Sequence, residues 1–175
     1  MIVCGFAGIG KSTLCTQRPK WIDLESTPFE KDFDRYTKVA SHMDKQGYNV
    51  MLSCHEGLRK ALHDKGIKYV LILPDSSLKN EYIERYKKRG NSEAFIKSLD
   101  ENWDNYTKVF DWEDAIKLGE NEYLSDAIDK MDETNESCYE MIYNTLCDKV
   151  EKGEFTIEQA EAVNEAAYKK YLNKL

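Results

Sequence analysis

The sequence predicts an α/β fold in three layers: a five-stranded parallel sheet with helices on both faces, extended by a helical lid insertion and a C-terminal helical hairpin. Two observations carry this reading. Short apolar, partly β-branched runs recur through the first half of the chain, and they are continuous, as strands buried on both faces require. Between them lie segments of helical spacing with short connections, which favour right-handed crossovers and parallel pairing.

Ile2 to Phe6 is the first strand, and Lys11 to Arg18 the first helix, closed by Pro19. "WIDLES" from Trp21 is the second strand. Phe33, Tyr36, Ala40 and Met43 then repeat at helical spacing until Gly47, and "YNVMLS" follows as the third strand. A helix through Leu58, Ala61 and Leu62 ends at Gly66, and "YVLILP" from Tyr69 is the fourth strand, stopped by Pro74.

The second half is richer in helix. "SLKNEYIERYKKRG" reads as a helix to Gly90, and Phe95, Leu99, Trp103, Tyr106 and Phe110 form a core-facing stripe expected on one further long helix. Ala115 to Leu118 supplies the fifth strand. Tyr139, Ile142, Leu146 and Val150 mark a penultimate helix ending near Gly153, and Thr156 with Gln159 makes a capping-box signature for the last one. With no repeat or low-complexity linker, residues 1–175 read as a single domain. The lid occupies about residues 76–107 and the terminal helices about 134–174.

The formal charge of −7 and the pI of about 5.1 argue against a surface built broadly for nucleic acid or anionic membrane. The five cysteines are odd in number and lack metal-binding spacing, so reduced thiols in a cytoplasmic protein are expected. No apolar run reaches membrane-spanning length, and the first strand follows Met1 directly, so a soluble protein without a leader is expected.

"GFAGIGKST", from Gly5 to Thr13, fits Gly-x-x-x-x-Gly-Lys-Ser between a strand and a helix. Such a loop turns successive backbone N–H groups toward phosphate oxygens, and its glycines allow close approach. Gly5, Ala7, Gly8, Ile9, Gly10, Lys11, Ser12 and Thr13 are therefore expected to hold nucleotide phosphates, with Lys11 reaching the β- and γ-phosphates and the Ser12 hydroxyl on Mg²⁺. A GTP switch is disfavoured: Asn-Lys-x-Asp does not occur, and the one Asp-x-x-Gly, Asp44 to Gly47, falls at a helix end. A motor ATPase is disfavoured as well, because the third strand ends in Ser53, Cys54 and His55 with no Asp.

Asp23 and Glu25 lie two apart on the second strand and so project to one side, where a carboxylate can orient an acceptor hydroxyl or bind Mg²⁺. Arg85 and Arg89 lie four apart on one helix face, placed to stabilise a transferring phosphoryl group. The competing structural readings make Asp23 a turn residue and pair Glu81 with Arg85 and Glu84 with Lys88 on a solvated helix.

The order of "GFAGIGKST", "DLES" and "YIERYKKRG" resembles the small P-loop kinases of nucleosides, nucleotides and other metabolites. "EYIERYKKRGNSEAFIKSLDENWD" and "EYLSDAI" resemble, more narrowly, the nucleotide kinases of bacteriophages and prophages, over most of the chain up to about Met131. The resemblance implies a P-loop kinase-type fold and an ATP- and Mg²⁺-dependent phosphotransferase of nucleotide metabolism. Its catalytic residues would be Lys11, Asp23, Arg85 and Arg89, its metal ligands Ser12 and Asp23, and its acceptor side Asp23, Glu25 and Ser26. It also points to Gly119 to Asn121 as an adenine-lining segment. The expected partner is a small phosphate acceptor. A polynucleotide or DNA-base kinase and a nucleotide-binding regulator without turnover are the alternative functions, the first permitted by the basic run Lys79 to Arg89.

Overall fold

The computed structural model describes residues 1–29 and 31–172, which fall into two compact units, Met1–Ala127 and Ile128–Leu175. The first unit is built on a five-stranded, wholly parallel sheet in the order β2-β3-β1-β4-β5. The strands are β1 (Ile2–Gly5), β2 (Trp21–Asp23), β3 (Asn49–Ser53), β4 (Val70–Pro74) and β5 (Ala115–Leu118), each where the apolar runs predict one. Val3, Cys4, Val50, Met51, Leu52, Ile72 and Leu73 have no more than trace exposure, the burial on both faces that continuous apolar runs imply.

Helices α1 (Lys11–Gln17), α2 (Phe33–Lys45) and α3 (Glu56–Asp64) connect the first four strands. The β1-to-β2 and β2-to-β3 steps run in opposite directions across the sheet, so right-handed crossovers put α1 and α2 on opposite faces. Helix α3 crosses in the same sense as α2, and the two pack together. Between β4 and β5 come α4 (Lys79–Lys88), α5 (Glu93–Glu101) and the single turn α6 (Trp103–Tyr106). Trp103 and Tyr82 meet the Phe6 ring edge-on or tilted at 5.3 and 5.8 Å, and the Trp103 indole donates to Ser76 O at 2.8 Å.

Two expectations are revised. The stripe from Phe95 to Phe110 does not lie on one helix, because Asn102 ends α5 and starts α6; its backbone N–H and its side-chain amide both donate to Ser98 O, at 3.2 and 2.8 Å. Phe110 lies beyond both helices, stacked on Trp112 at 4.6 Å. The penultimate helix α7 (Leu124–Glu151) begins about ten residues before the expected position, since neither Gly nor Pro interrupts residues 124–151.

An ion pair not anticipated from the sequence anchors the approach to β5. Arg59 on α3 meets Glu113 at 2.8 Å with both side chains 1% exposed. Arg59 also donates to Lys108 O at 3.1 Å, while Glu113 accepts the Tyr69 hydroxyl at 2.6 Å and the Phe110 N–H at 3.2 Å. That shell of donors and acceptors is what a buried pair needs to offset its desolvation.

The second unit holds the rest of α7 and helix α8 (Ile157–Tyr171). Thr156 and Gln159 form the predicted reciprocal cap: the Gln159 N–H donates to Thr156 Oγ1 and the Thr156 N–H to Gln159 Oε1. Among the described residues no helix is long and apolar enough to cross a membrane.

Candidate functional site

The chain leaves β1 toward one face of the sheet and β3 toward the other, so a crevice opens beyond the carboxyl ends of these neighbouring strands. A cavity of about 990 Å³ lies there, lined by Gly5, Ala7, Gly8, Gly10, Lys11, Ser12 and Thr13 from the glycine loop and by Asp23, Glu25 and Ser26 from the end of β2. Ile9 is the exception in its loop: its side chain is wholly buried, and its Cδ1 would stand 2.9 Å from a Cβ built on Gly5.

The loop turns on two left-handed residues, Gly8 at φ +78° and Gly10 at φ +100°, and Gly10 opens α1 without any side-chain cap. The backbone N–H groups of Gly8, Gly10, Lys11, Ser12 and Thr13 consequently donate to no acceptor among the described residues, leaving a concave row of donors. Lys11 folds across it, its Nζ donating to Gly5 O at 3.0 Å and Phe6 O at 2.8 Å. Burial holds this amine below the usual lysine range, offset in part by the neighbouring acidic groups.

The Ser12 hydroxyl donates to Asp23 Oδ2 at 2.6 Å, so α1 and the carboxyl end of β2 meet through the two residues expected to hold a metal. Behind them the buried Tyr36 hydroxyl donates to Leu24 O and accepts the Ser53 N–H at 3.4 Å, fixing the ends of β2 and β3 together. Ser53, Cys54 and His55 line the cavity with no carboxylate among them. Burial raises the Cys54 thiol, which stays protonated, and lowers the His55 imidazole, with Lys11 and Lys31 acting in the same direction.

The two arginines of α4 part company. Arg89 lines the cavity; Arg85 is paired with Glu81 and sandwiched between the rings of Tyr82 at 4.6 Å and Tyr123 at 4.4 Å. The Glu81–Arg85 pair expected on a structural reading of α4 is therefore present, while Glu84 pairs with Lys87, one residue short of Lys88.

Several residues at the cavity were not singled out from the sequence. The Tyr86 hydroxyl donates to Ala7 O at 2.8 Å and ties α4 to the loop. Phe95, Leu99 and Tyr106 supply an apolar wall, and the buried Asn91 Oδ1 and Ser53 Oγ have no hydrogen-bond partner among the described residues. The helical spacing of Phe95, Leu99 and Tyr106 reads as a core-facing stripe, and only the fold shows that these three wall the cavity. Tyr123 and Ser125 reach the cavity, in place of Gly119 to Asn121. Asp75 caps the turn after β4, accepting the Ser77 N–H at 2.9 Å.

Ser12 and Asp23 offer two oxygens to a hard cation, and the described residues contain no cluster of three or more acidic, His or Cys side chains that could ligate a metal. For such a cation, waters and the phosphate oxygens of a bound ligand would have to complete the oxygen shell. No family model, no curated protein and no solved structure matches the chain.

Proposed function

We propose that the chain is a cytoplasmic ATP-dependent kinase that transfers the γ-phosphoryl group to a nucleoside, a nucleoside monophosphate or a similarly small acceptor. The observation that carries this reading is the convergence on one cavity of unsatisfied loop N–H donors, the Lys11 amine and the Ser12–Asp23 pair. A polyanion satisfies the first two, a cation carried with it would complement the Asp23 carboxylate, and the cavity volume is that of a site for ligands of nucleotide size.

The loop N–H groups and Lys11 bind the phosphates, and the Lys11 amine exchanges its two carbonyl acceptors for phosphate oxygens. Mg²⁺, held by Ser12 with Asp23 behind it, would neutralise phosphate charge. Asp23 also orients the acceptor hydroxyl, with Glu25 and Ser26 beside it. Arg89 is the arginine placed to stabilise the transferring group, while Arg85 is engaged elsewhere. His55, held neutral, adds no competing positive charge.

Incubation with γ-labelled ATP and a panel of nucleosides, deoxynucleotides, 5′-hydroxyl oligonucleotides and hydroxyl metabolites tests the proposal. Label on a small acceptor is the expected result. Label on oligonucleotides alone would move the assignment to a polynucleotide kinase, and ATP binding without any product would make the chain a nucleotide-binding regulator.

A further inference from the structure

The second unit carries a groove that the proposed reaction does not use. It has a volume of about 350 Å³ and lies between α7 and α8. Tyr143, Leu146, Cys147 and Val150 line it from α7; Ile157, Ala160, Glu161 and Asn164 line it from α8. Each set follows the i, i+3, i+4, i+7 spacing of a helix face packed against another helix.

These stripes are only half covered. Leu146 is buried, yet Ile157 is 64% exposed and Tyr143 50% exposed, and Met141 and Val163 stand open nearby. Of the nine large hydrophobic side chains exposed in the described residues, five lie on this hairpin. Two antiparallel stripes with a gap between them accommodate a third helix, whose apolar residues fill the gap as knobs.

Charge selects the occupant. Asp and Glu outnumber Lys and Arg by eleven to six from Ile128 to Leu175, so this segment carries five of the chain's seven net negative charges. Glu151 and Glu161 line the groove itself, one on each helix, and no basic side chain does. A second copy of so acidic a hairpin would set like charges against each other. We propose that the groove binds a basic amphipathic helix of a partner protein, its apolar stripe between α7 and α8 and its Lys or Arg flanks against Glu151 and Glu161. The proposal is independent of the kinase reading.

The test uses the full chain and a fluorescent peptide of about 15 residues, the length of α8, with Leu at helical spacing and Lys on both flanks. Controls are the same peptide with its Leu positions scrambled and a version flanked by Glu. Saturable binding of the Lys-flanked peptide alone, weakening as salt rises, is expected. Glu151→Lys combined with Glu161→Lys should weaken that peptide by about tenfold or more and admit the Glu-flanked one. Ile157→Asp, at an exposed position, should abolish both, and Tyr143→Ser provides a second apolar lesion.

No saturable binding, equal binding of the scrambled peptide, or indifference to the charge reversal would each overturn the proposal. So would concentration-dependent dimerisation lost in Ile157→Asp without peptide binding, which would give the groove to a second copy. ATP turnover, measured in parallel, is expected to be unchanged in these variants.

Discussion

Ser12 and Asp23, eleven residues apart, meet in a 2.6 Å hydrogen bond that joins the first helical turn after β1 to the end of β2. The same contact orients the carboxylate and holds the hydroxyl where a cation would need both. Asp23→Asn keeps the shape but removes the charge, and it should lower kcat/KM by about 10²-fold or more with the fold intact. Glu25→Gln, lining the same cavity without that bond, should cost less. Steady-state kinetics across a Mg²⁺ titration separates them.

Lys11→Ala should reduce transfer by about 10²- to 10³-fold, the scale for deleting one preorganised charge. Because the Lys11 amine, among the described residues, donates only to the carbonyls of Gly5 and Phe6, thermal unfolding should change little. Turnover equal to that of the parent would sink the kinase assignment.

Arg59 and Glu113 test stability away from the site. Glu113→Ala leaves a buried guanidinium without its carboxylate and should cost about 3–5 kcal/mol in urea unfolding. Arg59→Met with Glu113→Leu removes both charges and should recover most of that loss.

His55 supplies a pH dependence with a defined sign. Its folded pKa lies below the ordinary imidazole value of about 6.5, so the unfolded chain binds the proton first as pH falls. Its contribution is intact above that value and is lost as pH drops from there toward the folded pKa. His55→Asn should flatten this part of the stability-versus-pH curve, measured by urea unfolding between about pH 7 and pH 5.

The succession of strands and helices along the chain was legible in the sequence because continuous apolar runs, short connections and the glycine loop are local signals. Asp23 could be read for the same reason, since a strand end beside such a loop fixes its side chain's position. Arg85 could not be separated from Arg89 by spacing alone: both share a helix face, the Glu81–Arg85 pair is local, and the Tyr123 ring that completes the enclosure of Arg85 depends on tertiary placement. Glu113 lies 54 residues from Arg59, and α5 ends at Asn102 with no Gly or Pro to mark the break, so neither left a periodic trace.

The contact of Tyr86 with the glycine loop carries an asymmetric rule for sequence variation. A Cβ on residue 8 would lie 2.8 Å from the Tyr86 ring, which fits the space that glycine leaves. Shrinking residue 86 would clear that clash, yet the φ of +78° would still strain other side chains at position 8. Drift at position 86 therefore leaves position 8 fixed, whereas any change at position 8 demands an answer from both the backbone and residue 86. Among descendants of this chain, the loss of the tyrosine alone would not release the glycine.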